Sequence, residues 1–269
     1  DMCVAFNDET QIWRLARGPK DSKGIDGVVF MATGALIHID LPPNVDEQND
    51  RGMRNKIRFL NQSVTIAGMG SELFQDSIDT LKELHQRGER EFKQGQLEEW
   101  CPGQFQGDDA VEMVNWYFRP QTKSENQTSV QLSSDINPKG VLRWMAGDNM
   151  VHTEDNIMKY YKKVSKRQYS VNNIMTKSDQ RYAEAKPQMF RTGDIVEVQC
   201  SIVFIKGKAG VVKMKLILRA LALVNCKHSM VRDSYHARLG KLITPSPPTP
   251  ARTPKRKGKG QRNEERTQG

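Results

Sequence analysis

The sequence predicts an α+β protein: a mixed body that ends in an antiparallel β-hairpin and is followed by a disordered basic tail. Three observations carry this expectation. Residues 194–224 contain two runs that alternate apolar with polar residues on either side of a glycine-containing turn. Two other segments, one opening at Ser71 and one at Thr153, combine an N-cap residue with the charge order of a helix. From Thr244 onward, proline and basic residues replace apolar ones, so that segment cannot bury a core. The chain then divides into an N-terminal α+β region over 1–120, a polar linker or long loop over 121–139, a C-terminal α+β region over 140–243 and the tail over 244–269.

The first strand is expected over residues 27–41. Val28-Val29-Phe30-Met31 is apolar on both sides, and after Gly34 the residues Ala35, Ile37, Ile39 and Leu41 alternate with His38 and Asp40. Pro42-Pro43 ends it. A second strand is expected over 59–67. Ser71 then caps a helix in which Leu73, Phe74, Ile78, Leu81, Leu84 and His85 recur at helical spacing, with Gly88 and Gly95 weakening its second half. Residues 109–118 read as a short helix stopped before Pro120, and 141–145 as a short strand. Glu154 and Asp155 open, and Lys162, Lys163, Lys166 and Arg167 close, a predicted helix over about 154–167.

In the hairpin, Val196, Val198, Cys200, Ile202 and Phe204 form the apolar face of one strand. Val212, Met214, Leu216, Leu218, Ala220 and Ala222 form that of the other. Placing Ile205 opposite Val211 joins the two faces and sets Glu197 opposite Arg219; a slip of one residue would bury lysines.

The net charge is +9, and a little more than half of it sits in the tail, so the body is only mildly basic. Cys3, Cys101, Cys200 and Cys226 are too dispersed for a zinc ribbon or a disulfide framework, and reduced thiols are the simpler expectation. No apolar run approaches the eighteen or so residues of a membrane span, so no membrane partner is expected. There is no P-loop and no nucleophile elbow, which argues against an NTPase or a typical serine hydrolase.

One resemblance can be attached to particular residues. These are Pro138-Lys139-Gly140-Val141-Leu142, Met145-Ala146-Gly147, His152-Thr153-Glu154-Asp155-Asn156, Tyr160-Tyr161, the run Pro187 to Gln199, and Leu218 to Leu223. Together they make the segment 137–226 resemble a family of uncharacterised proteins predicted in large numbers in mushroom-forming fungi. The resemblance brings no activity and no site residues; the family's abundance hints at a mobile-element or nuclear origin.

Candidate chemistry falls in five places. His38 and Asp40 share one strand face, as two ligands of an iron(II) facial triad would, with His152, His228 or His236 as a third; a local His–Asp contact is the simpler reading. His152 with Glu154 and Asp155 could hold a metal, but helix capping accounts for all but the histidine. Gly68-Met69-Gly70-Ser71 could cradle a phosphate, though an ordinary turn suffices. Lys159, Tyr160, Tyr161, Lys162, Lys163, Lys166 and Arg167 interleave basic and aromatic residues, a pattern suited to phosphate contact and base stacking. Lys255, Arg256, Lys257 and Lys259 form a short basic run suited to an import receptor, with Thr253-Pro254 beside it as a proline-directed phosphorylation site.

The expected function is that of a non-enzymatic nuclear protein associated with nucleic acid (DNA or RNA) or chromatin, without a cofactor. The alternatives are an iron(II)-dependent, oxygenase-like enzyme using His38 and Asp40, and a structural or assembly protein that pairs through the hairpin edge.

Overall fold

A computed structural model describes residues 2–7, 12–18, 26–42, 54–121, 128–164, 182–207 and 210–227. Its strands, in chain order, are β1 (Met2–Asn7), β2 (Ile12–Arg17), β3 (Asp26–Gly27), β4 (Val29–Asp40), β5 (Asn61–Ala67), β6 (Gly103–Phe105), β7 (Asp108–Trp116), β8 (Arg119–Pro120), β9 (Met150–Val151), β10 (Lys159–Lys163), β11 (Tyr182–Glu184), β12 (Ile195–Lys206) and β13 (Val212–Asn225). The α-helices are α1 (Glu72–Glu89) and α2 (Val141–Ala146). The predicted α+β class is thus corrected: the protein is mostly β, built on one large mixed sheet.

Five strands of that sheet close into a ring. β4, β5 and β7 form an antiparallel meander. β7 meets β13 in parallel at Val114 and Ile217, β13 pairs antiparallel with β12, and β12 pairs antiparallel with β4. The parallel seam is the thinnest, and Asn115 strengthens it by donating from Nδ2 to the Leu218 carbonyl at 2.9 Å. Inside the ring, Phe30, Leu36, Val64, Ile66, Met113, Val198, Ile202, Leu218 and Leu221 pack together. α1 adds Phe74, Ile78, Leu81 and Leu84 to the same core. A smaller cluster gathers Ile57, Tyr117 and Phe118 against Leu142, Met145 and Ala146 of α2.

β12 and β13 outrun the ring, and their extra length extends the sheet. Beyond β4, the outer edge of β12 pairs with β2, which carries β1. Beyond β7, the outer edge of β13 pairs in parallel with β10, which carries β11. β12 is thus flanked on both edges, and β13 meets β7 at Ile217 and β10 over residues 220–223 on the edge away from β12.

The hairpin register is a second correction. Phe204 lies opposite Met214 and Ile202 opposite Leu216, two residues along from the predicted pairing. The loop keeps its five residues but sits one position further along the chain, because Lys206 pairs with Val212. A shift of two keeps every side chain on its face, so alternation alone could not detect it. The register then breaks: Cys200 faces Leu218 and Gln199 faces Ala220, leaving Arg219 as the extra residue of a β-bulge. Past the bulge the faces exchange. Leu221 and Leu223 point into the core, Ala220 and Ala222 point outward, and Glu197 faces Ala222 rather than Arg219.

Three further elements differ from expectation. Residues 109–118 form strand β7 rather than a helix: Ala110, Glu112 and Val114 alternate with the inward residues Val111 and Met113, and β5 and β6 bond its two edges. Residues 141–145 are helical rather than extended; Gly140 and Gly147, both at positive φ, bracket the turn. Of the predicted helix over 154–167, the described residues to 164 form a single 3-10 turn, Glu154–Asn156, followed by β10. Its capping box is real, with Thr153 N–H donating to Asn156 Oδ1 at 3.0 Å, but Ile157 is already extended and the chain joins the sheet. Helix α1 is continuous over 72–89, so Gly88 does not break it.

Candidate nucleic-acid interface

The bulge at Arg219 helps organise a cluster of three arginines around Asp155. Along the outward face of β12, Glu197, Gln199 and Ser201 succeed one another at the two-residue spacing of a strand. Arg219 donates from Nε to Ser201 Oγ at 3.0 Å and from Nη1 to the Asp155 carbonyl at 2.5 Å, while its Nη2 lies 3.5 Å from Asp155 Oδ1. Arg14 on β2, which sits opposite Val203 of β12, donates from Nη2 to Asp155 Oδ2 at 2.5 Å. Arg119 on β8 approaches the same oxygen at 4.0 Å. The 3-10 turn places the carboxylate there, and Asn156 anchors that turn by donating to the Trp116 carbonyl at 2.9 Å.

Three guanidinium groups thus share one carboxylate, leaving two positive charges in excess. Burial alone would raise the Asp155 carboxyl, but the hydrogen bond from Arg14 and the charges of Arg14, Arg219 and Arg119 together hold it below its ordinary value. Burial in turn lowers the pKa of Arg219, with Asp155 opposing the shift. Nε of Arg14 and Nε of Arg119 are buried without a hydrogen-bond partner among the described residues. The cluster staples the 152–158 segment to the barrel, yet one aspartate does not satisfy the donors it attracts.

The same outward face continues into a groove of about 240 Å³ lined by Tyr161, Tyr182, Glu197, Gln199, Ala220 and Ala222. Register places Tyr161, Ala222 and Glu197 in one row across β10, β13 and β12, and Lys159, Ala220 and Gln199 in the next. Gln199 is two positions from Ser201, so the groove and the arginine cluster are about 7 Å apart along β12.

The predicted basic–aromatic segment is divided by this geometry. Lys159, Tyr161 and Lys163 fall on one side of β10, and the three lysines Lys159, Lys162 and Lys163 are exposed. Tyr160 points into the core and donates from its hydroxyl to Gln62 Oε1 at 2.7 Å, so it cannot stack on a base. Lys166 and Arg167 lie outside the described residues, as do His228, His236 and the tail with Lys255, Arg256, Lys257 and Lys259. Arg14 and Arg119 were not among the predicted residues, and Arg219 was expected opposite Glu197 rather than beside Asp155. One signal was present: after Arg219 the large residues of β13 move from even to odd positions, which is how a bulge is written in a sequence.

The remaining candidates are dispersed. His38 and Asp40 lie on the exposed side of β4, opposite Thr65 and Ser63. His152 is buried elsewhere with Nδ1 2.7 Å from the Tyr117 carbonyl, and burial lowers its pKa. Among the described residues no three His, Cys, Asp or Glu side chains gather as a metal site would require. Gly68 to Ser71 form the turn into α1, where Ser71 N–H is already bonded to the Gly68 carbonyl at 3.0 Å. All four cysteines are free, and burial pushes the Cys200 thiol up to about 12. Among the described residues no helix is long and apolar enough to cross a membrane.

No protein-family model matches the chain, and no curated protein matches it.

Proposed function

We propose that the protein is a non-enzymatic nuclear protein that binds single-stranded nucleic acid across the outward face of β10, β13 and β12. The observation that carries this reading is the cluster of Arg14, Arg119 and Arg219 around Asp155, whose surplus charge borders a tyrosine-lined groove. Guanidinium forks contact phosphates, and aromatic rings on a sheet stack on bases whatever their sequence. Exposed Lys159 and Lys163 widen the positive border of the groove. The strand order supports the reading by analogy: a meander of three strands closed by a hairpin whose last strand runs parallel to the third is the order of an OB barrel, a scaffold often used for oligonucleotides. Here the long helix lies between the second and third barrel strands, and the basic face lies on the hairpin side. Fold analogy by itself does not assign an activity.

The test is a salt titration. Mixed-sequence single-stranded DNA and RNA should bind with an affinity whose logarithm falls linearly with the logarithm of salt concentration. Arg14→Gln and Arg119→Gln should each reduce that slope by about one, whereas Lys82→Gln on α1 should leave it unchanged. Absence of binding at low salt, or slopes untouched in both arginine variants, would reject the proposal. The nuclear part rests on Lys255 to Lys259. A fluorescent reporter fused to residues 244–269 should concentrate in nuclei and lose that preference when Lys255, Arg256 and Lys257 become alanine.

A further inference from the structure

We infer that the groove between Tyr161 and Tyr182 is a subsite for a single unstacked guanine base, an inference that rests on the nucleic-acid reading and adds a base identity to it. The bulge at Arg219 makes the groove. By turning Leu221 and Leu223 into the core it leaves only the methyl groups of Ala220 and Ala222 on the outward face. Tyr161 and Tyr182, both half-buried, border this shallow floor, so a planar ring can enter beside them. The volume, about 240 Å³, lies below the range of roughly 300 Å³ and more that suits a drug-sized ligand, and is of the order of one base.

Stacking on tyrosine tolerates every base, so identity must come from an edge contact. Glu197 supplies one. Its Oε2 accepts the Tyr182 hydroxyl at 3.1 Å, which fixes the carboxylate at the wall of the groove, and Oε1 has no hydrogen-bond partner among the described residues. An ionised carboxylate only accepts. Guanine presents two adjacent N–H donors, N1–H and the N2 amino group, to such an acceptor. Adenine and cytosine set a ring-nitrogen acceptor beside their one amino donor, and thymine flanks its N3–H with two carbonyls, so each places a repelled lone pair near the carboxylate. Gln199, whose Nε2 has only the Met31 sulfur, at 3.6 Å, among the described residues, supplies an amide donor for guanine O6. Exposed Lys159, in the Gln199 row, offsets the charge of Glu197 toward the sugar-phosphate backbone.

The experiment uses the full chain and four labelled twelve-nucleotide oligothymidines whose central position is dG, dA, dC or dT, followed by fluorescence anisotropy. The dG strand should bind about tenfold more tightly than the others, the discrimination a bidentate base contact gives. Glu197→Gln should erase the preference, and Tyr161→Ala should weaken all four strands by about tenfold. Thermal melting of both variants checks that the barrel is intact. Equal affinity of the wild-type protein for all four strands, or a dG preference that survives Glu197→Gln, overturns the guanine subsite alone. No binding of any strand at low salt overturns it together with the nucleic-acid reading.

Discussion

Gly88 lies on the face of α1 that meets β12, where an added methyl group would come within 2.3 Å of the Phe204 ring. The helix needs no glycine for its conformation there; the space is what matters. Gly88→Ala should therefore destabilise the protein by about 1–3 kcal/mol through overpacking, despite alanine's higher helix propensity. Phe204→Leu in the same background should recover part of the loss, and denaturant midpoints of the two single variants and the double variant measure the coupling. In the sequence Gly88 reads as a helix breaker, because propensity is local and the neighbour that decides its role lies more than a hundred residues away. Arg219 shows the same limit. Alternation assigned it to the pair opposite Glu197, and only the bulge reveals that it turns to Asp155.

Caps separate the two helix starts at the scale of elements. Ser71 precedes α1 without a side-chain cap bond, whereas Thr153 and Asn156 complete a capping box around a turn of three residues. Thr153→Ala should cost about 1 kcal/mol and Ser71→Ala distinctly less, a difference readable by thermal or chemical denaturation. The capping signal in the sequence was sound as the start of a turn and misleading as the start of a helix. Continuation past Ile157 depended on a free edge of β13, with which Lys159 to Lys162 pair in parallel. β7 was misread for a similar reason. Its polar and apolar residues fit either period over a short window, and hydrogen bonds from β5 and β6 settle the matter.

At the scale of the molecule, β12 joins the two ends of the chain. It pairs with β2 and β4 on one edge and β13 on the other, and the described residues belong to one compact unit. Strands from residues 2–116 and 159–225 therefore interleave across the polar stretch 121–139. Unfolding should be one cooperative transition, with far-ultraviolet circular dichroism and tryptophan fluorescence coincident. Trp13 and Trp100 report on the main core, and Trp144 lies in α2 beside the smaller cluster. Two resolved transitions would contradict a shared core.

By itself the sequence determined the local matters: the alternation that makes β4, β5, β12 and β13 strands, the amphipathic face of α1, and the turn opened at Thr153. These depend on residues within a few positions of one another, so they are written in the order of the chain. Tertiary structure alone decided that the fold is mostly β, the closure of five strands into a ring, the two-residue register shift and the meeting of Arg14, Arg119 and Arg219 on Asp155. Each of those is fixed by hydrogen bonds and charges between segments up to about two hundred residues apart, where a side chain's partner depends on how the strands pair and not on its neighbours in the chain.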